Sequence, residues 1–162
     1  MRKALGILAL ALSMTLVSCG DAAGPGLLGR AAAELARQRG RWAESGIEDY
    51  VLTVRHLCEC LPEAVGPVVV LVRSGAVESR TYETTGQLVE PSLAGLFPSA
   101  EGLFDVVEDG IEREAERIDV EYDPLGFPRR VLIDVDLQTA DDEALFEVTG
   151  FLPQDGAAGG SR

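Results

Sequence analysis

The chain has 162 residues and a formal net charge of −13, with Lys3 its single lysine and His56 its single histidine. That inventory excludes a phosphate loop of the Gly-Lys-Ser/Thr kind, Schiff-base chemistry in the body of the chain and any centre that needs two imidazoles from one chain. A surface this acidic repels phosphate backbones and anionic headgroups, so no nucleic-acid binding is expected and any membrane contact has to come from something other than charge.

Residues 1–18 begin with Arg2 and Lys3, run through an apolar stretch from Ala4 to Val17 and end on small residues, the layout of a secretory signal peptide. The stretch falls short of the roughly 18 apolar residues that a membrane span needs. Leu16-Val17-Ser18-Cys19, followed by Gly20, resembles the lipobox of bacterial lipoproteins. The resemblance implies that Cys19 is acylated on sulfur and becomes the new N-terminus. The body is then a lipid-anchored membrane protein of the cell envelope, facing the periplasm or the exterior. Each buried methylene contributes about 0.8 kcal/mol, so two or three acyl chains hold where one alone would leave. Residues 19–26 are small and aperiodic and are expected to form a flexible spacer, residues 27–153 a single domain, and residues 154–162 a disordered Gly/Ala tail.

Within the domain, Leu28, Ala32, Leu35 and Trp42 recur at helical spacing over about 27–45, with Arg30, Arg37, Arg39 and Arg41 elsewhere on the wheel and a weak point at Gly40. Trp42 is expected to anchor the core. Residues 49–57 switch to period two, with Tyr50, Leu52, Val54 and His56 on one strand face. Residues 67–73 and 76–84 flank Ser74-Gly75 and read as a hairpin in which Val72 faces Val77 and Val70 faces Ser79. Residues 86–98 read as a connecting loop that leads to Ser99 as N-cap of a second helix, whose apolar stripe is Leu103, Phe104, Val107, Ile111 and Ala115. The acidic end of that helix opposes the dipole and is expected to fray.

Residues 117–123 and 129–136 alternate as two strands. Their parity places Val120 opposite Val131 and Glu121 opposite Arg130 across a four-residue loop, Pro124-Leu125-Gly126-Phe127. A last strand runs over about 144–151. Helix, three strands, helix, three strands predicts an α+β fold with an antiparallel sheet of about six strands and both helices on one face. β-Lactamase-inhibitor-like proteins have a similar layout, an analogy of fold that transfers no function. Trp42, Ile47, Tyr50, Cys58-x-Cys60, Gly66-Pro67, Gly75, Leu103-Phe104-Asp105, Tyr122-Asp123-Pro124, Gly126-Phe127-Pro128, Asp134 and Asp141-Asp142-Glu143 together resemble an uncharacterised family of secreted bacterial lipoproteins, over roughly residues 42–151. The resemblance implies a single domain and the lipid anchor, and no activity.

With Cys19 given to lipid, Cys58 and Cys60 remain in an oxidising compartment and can pair only with each other within one chain. A fully extended chain would hold their Cα atoms near 6.5 Å, so the backbone is expected to bend between them. His56, Cys58 and Cys60 would also aim three metal-competent groups one way if the strand continued, though a fourth ligand has no recognisable spacing. Asp134, Asp136, Asp141, Asp142 and Glu143 gather near the final hairpin and are weak candidates for a hard cation such as calcium, without the Asp-x-Asp-x-Asp-Gly loop. No Gly-x-Ser-x-Gly elbow is present. The sequence therefore predicts a non-catalytic envelope domain, without cofactor, that presents a binding surface to another protein, such as an envelope partner, or to a ligand. The alternatives are a thiol-disulfide redox protein using Cys58 and Cys60, or a weak metal-binding lipoprotein.

Overall fold

A computed structural model describes residues 26–58, 60–138 and 143–154. Cys19 with the rest of the leader, nearly all of the spacer, Asp141, Asp142 and the tail beyond Gln154 lie outside the described residues. In chain order the elements are α1 (Leu27–Ser45), β1 (Tyr50–Leu57), α2 (Pro62–Val65), β2 (Val68–Arg73), β3 (Ala76–Tyr82), a 3-10 helix (Pro91–Leu96), α3 (Ala100–Glu112), β4 (Arg117–Tyr122), β5 (Pro128–Asp134) and β6 (Glu143–Pro153). The strands make one six-stranded antiparallel sheet in the order β3-β2-β1-β6-β5-β4. This is the expected α+β class. The first and last thirds of the domain meet at the centre, where β1 pairs with β6 along its whole length from Tyr50↔Pro153 to Leu57↔Leu145.

Strand parity decides what faces the helices. Tyr50, Leu52 and Val54 of β1, Val68, Val70 and Val72 of β2, Val131 and Ile133 of β5, and Phe146 and Val148 of β6 are buried in one core with Leu35 and Trp42 of α1 and Leu103, Phe104 and Val107 of α3. Gly40 does not interrupt α1, whose buried residues are Leu35, Gln38 and Trp42; Ala32, expected on the apolar stripe, is exposed. Arg39 ties the two long helices together, reaching Asp105 at 2.9 Å and Glu108 at 3.0 Å with its guanidinium 5.6 Å from the Phe104 ring centroid.

Trp42 sits edge-on to Tyr50, Phe127 and Phe151, with centroids 5.7, 5.5 and 5.8 Å away. The turn that delivers Phe127 needs glycine. Gly126 has φ +104°, and a Cβ there would lie 2.6 Å from the Gln38 carbonyl oxygen and 2.8 Å from the Trp42 nitrogen.

One carboxylate joins α1, β1 and α3. Glu101 accepts from Trp42 Nε1 at 3.0 Å, from Ser99 Oγ at 3.1 Å and from the Tyr50 hydroxyl. Tyr50 in turn accepts from the Ala100 amide at 3.1 Å, and the expected N-cap Ser99 accepts from Gly102 N at 3.2 Å. Burial first, then the hydrogen bond to and charge of Glu101, push the Tyr50 hydroxyl pKa far up. Tyr122, half-buried and beside Glu34, is raised to about 12, by burial first and then by that charge.

Four details differ from the sequence reading. Val72 does face Val77, but Leu71 rather than Val70 opposes Ser79 and Val70 opposes Arg80, because a bulge in β3 takes up one extra residue. Val120↔Val131 and Glu121↔Arg130 are as expected, yet the strands run on to Tyr122↔Pro128 after a bulge, leaving residues 123–127 as the turn. The connecting loop contains the 3-10 helix, and α3 stops at Glu112, with Glu114 at φ 55° turning the chain toward β4. Ala115 is buried after the helix rather than on it.

Val131 is fully buried, whereas Arg130 and Glu121 form an exposed pair at 3.9 Å. Val131→Asp puts an unpaired charge among apolar atoms and is expected to unfold much of the population. Arg130→Ala is expected to cost no more than about 1 kcal/mol. Equal shifts of the two denaturation midpoints would contradict this register. The tyrosines set an alkaline limit. A phenol whose folded pKa lies above its ordinary value of about 10 stabilises the fold fully below that pH, and the contribution is lost as pH climbs toward the folded value. Urea midpoints are therefore expected to hold from pH 8 to 9 and to drop from pH 10 to 12, with a smaller drop in Tyr50→Phe. A flat wild-type profile would mean that Tyr50 and Tyr122 ionise as freely in the fold as in the unfolded chain.

Candidate functional site

The chemistry-bearing residues that the fold brings together lie where β1 ends. β2 pairs with β1 only as far as Val54↔Val68, while β6 continues to Leu57↔Leu145. The end of β1 is thus held on one side and released on the other, and the chain leaves the sheet there. Its return is a single turn, α2, with proline at its start and Ala64 N donating to Leu61 O at 2.9 Å. The Tyr82 hydroxyl donates to the Glu63 carbonyl at 2.7 Å, which pins α2 to β3. Gly66 closes the excursion at φ +85°, where a Cβ would lie 3.0 Å from Val68 N and 3.2 Å from both the Val54 carbonyl oxygen and the Phe97 ring. The Gly66–Pro67 peptide is cis.

His56 has the parity of the core and is 8% exposed. Its ring stacks on Phe146, its partner across the β1–β6 seam, at 4.9 Å between centroids and 25° between planes. Nδ1 lies 3.3 Å from the Ala64 carbonyl oxygen and 3.4 Å from Cys58 Sγ. A carbonyl only accepts, so the Ala64 contact requires the proton on Nδ1. Burial lowers the His56 pKa, opposed by the Ala64 carbonyl, which favours the charged ring.

Cys58 is half-buried and Cys60 exposed, and the two form a close pair with Cα atoms 5.2 Å apart. The contraction from an extended spacing shows that the strand does not continue through them. Even so, the donor atoms of His56, Cys58 and Cys60 all lie within 4.8 Å of one another. The bend, not strand alternation, brings them together.

The acidic candidates are not assembled in this way. Asp134 pairs in register with Glu143 on one side and Arg117 on the other, and Asp136 accepts from Gln138 N at 2.9 Å. Among the described residues, these carboxyl groups do not converge on one point as three or more donors. Asp141 and Asp142 lie outside the described residues.

Two features near the site escaped the sequence reading. The Ala64 carbonyl that holds His56 depends on α2, a turn too short for periodicity, whose one legible mark is Pro62 before Gly66. Arg80, at a position set by the β3 bulge, donates from Nε to the Phe97 carbonyl at 2.7 Å and lines a groove of about 520 Å³ together with Ser99, Asp105, Asp109 and Phe146. Burial lowers the Arg80 pKa.

The face of the sheet away from the helices also carries apolar side chains. Val51 and Leu57 of β1, Val69 and Leu71 of β2, and Leu145 of β6 are half-buried there, and Leu132 of β5, at 7% exposure, is buried without belonging to the helix-side core. Arg55 and Glu147 lie opposite each other on the same face.

No curated protein and no solved structure shows significant similarity to the chain. A family model, described as a family of unknown function (DUF6174), matches residues 34–153, which span most of α1 and the whole sheet, and the chain belongs to that family.

Proposed function

We propose that this chain is a non-catalytic binding domain of the bacterial cell envelope, tethered to the membrane through lipid on Cys19. The observation that carries the binding role is the sheet face opposite the helices, where Val51, Val69, Leu71 and Leu145 lie half-buried outside the helix-side core, around the buried Leu132. Among the described residues no helix is long and apolar enough to cross a membrane, and the tether rests on Leu16-Val17-Ser18-Cys19. The pairing of Cys58 with Cys60 supports an oxidising compartment and a structural disulfide at the end of β1. A second reading, thiol-disulfide exchange, is favoured by the exposed Cys60 and by His56 Nδ1–H 3.4 Å from Cys58 Sγ, a donor that stabilises a thiolate on that sulfur once the pair opens.

Replacing Cys19 by serine is expected to release the protein from the membrane fraction and to abolish fatty-acid labelling. Unchanged fractionation of Cys19→Ser would point to a retained signal anchor instead. For the binding role, the full chain is used to capture partners from detergent-solubilised envelope, beside Leu71→Glu, which charges the open face without touching the core. Loss of capture by a Leu71→Glu protein that keeps its melting temperature within a few degrees is the expected outcome. Capture of the same protein by both would remove this face from the account.

A further inference from the structure

We propose that His56, Cys58 and Cys60, once the cysteine pair is reduced, form a three-coordinate site for copper(I). The proposal depends on neither the lipid anchor nor the protein-binding face. It starts from convergence, since one nitrogen and two sulfur donors lie within 4.8 Å of one another, with His56 Nδ1 already 3.4 Å from Cys58 Sγ. With metal–ligand distances of about 2.0–2.3 Å, three donors around one ion lie roughly 3.5–4 Å apart, so the imidazole and the first sulfur need almost no movement. The third donor is the one free to adjust, because Cys60 is exposed. His56 is the fixed one, stacked on Phe146 and 8% exposed, and so loses little orientational freedom when an ion arrives.

Donor type and number choose the ion. Two soft thiolates and one borderline imidazole suit copper(I) or zinc. Zinc in a closed site takes four ligands, and among the described residues the cluster supplies three. Copper(I) is satisfied by three. Binding requires the other tautomer: the proton leaves Nδ1 for Nε2, the hydrogen bond to the Ala64 carbonyl is given up, and the freed Nδ1 lone pair takes the metal.

Loading requires a reductant, and the class required is a protein dithiol. Two electrons from it break the Cys58–Cys60 bond, each sulfur takes up a proton, and the two thiols of the donor become its disulfide. Copper(I) then displaces both thiol protons with no further electron transfer. Exchange with a protein disulfide, which takes the two electrons and, with two protons, becomes a dithiol, re-forms the Cys58–Cys60 bond, removes two of the three ligands and releases the ion still as copper(I).

The test uses the full chain carrying Cys19→Ser, so that Cys58 and Cys60 are the only thiols. The protein is reduced, freed of reductant and titrated anaerobically with copper(I) against a chromogenic copper(I) chelator. One equivalent withdrawn by the reduced chain and none by the oxidised chain is expected. Cys60→Ser is expected to weaken binding by more than the roughly 100-fold that loss of an outer-shell partner can cost. His56 is buried, and replacing it risks the fold, so X-ray absorption of the loaded chain reads its role directly, with two sulfurs and one nitrogen expected around copper. Overturning results are no withdrawal by the reduced chain, full affinity in Cys60→Ser, a shell without nitrogen, or tighter retention of zinc than of copper(I) under the same competition.

Discussion

The Glu101 carboxylate is the point on which the helix layer depends. Trp42 and Tyr50 are the large polar-tipped aromatics of the core, and each must find a hydrogen-bond partner for its buried donor or forfeit the desolvation cost of that group. Both find it in the same side chain, on the first turn of α3, where a negative charge also meets the positive end of the helix dipole. Ser99 completes the arrangement by accepting from the helix and donating to the carboxylate. α1, β1 and α3 are thereby fixed at one point by directional contacts, and the aromatic packing of Trp42, Phe127 and Phe151 fills in around it. A core made only of aliphatic contacts would tolerate sliding of one helix along the sheet. Shared acceptance at Glu101 does not.

From that point the geometry of the site follows. With the helices held over one face, the long β1–β6 seam must bury Leu52, Val54 and His56 beneath or beside them, and His56 comes to rest against Phe146 at the edge of the core. The unequal lengths of the two pairings of β1 then create a place where the chain can leave the sheet while still anchored by β6. A cysteine pair at such a place stiffens a strand end more than it stabilises the fold, because the loop it closes is too short to remove much unfolded-state entropy. The same shortness brings two sulfurs beside one imidazole, which a longer loop would not guarantee.

Most of the architecture was legible in the residues. Period two over β1 and β4, the Ser74-Gly75 turn, Ser99 as N-cap and the Val120↔Val131 register are local signals, each carried by a few neighbouring positions and a single steric rule. The misses share a cause. The β3 bulge, the early end of α3 and the one-turn α2 are local deviations from regular structure that pay off only against distant parts of the chain: Arg80 reaches Phe97, Ala115 enters the core, and Tyr82 holds Glu63.

The sequence by itself determined the class of fold, the strand faces and the short list of groups able to do chemistry, since alternation, helical periodicity and residue counts need no partner to be read. It left Glu101 without a distinguishing mark, and placed His56 with Cys58 and Cys60 only as three groups that a continuing strand would aim one way. Tertiary structure alone decided that the first would accept from two aromatics and a serine, and that the bend expected between the cysteines would bring both sulfurs close to the second. The reason is that both arrangements arise from contacts closed by the whole sheet, whose order places β1 beside β6 across most of the chain.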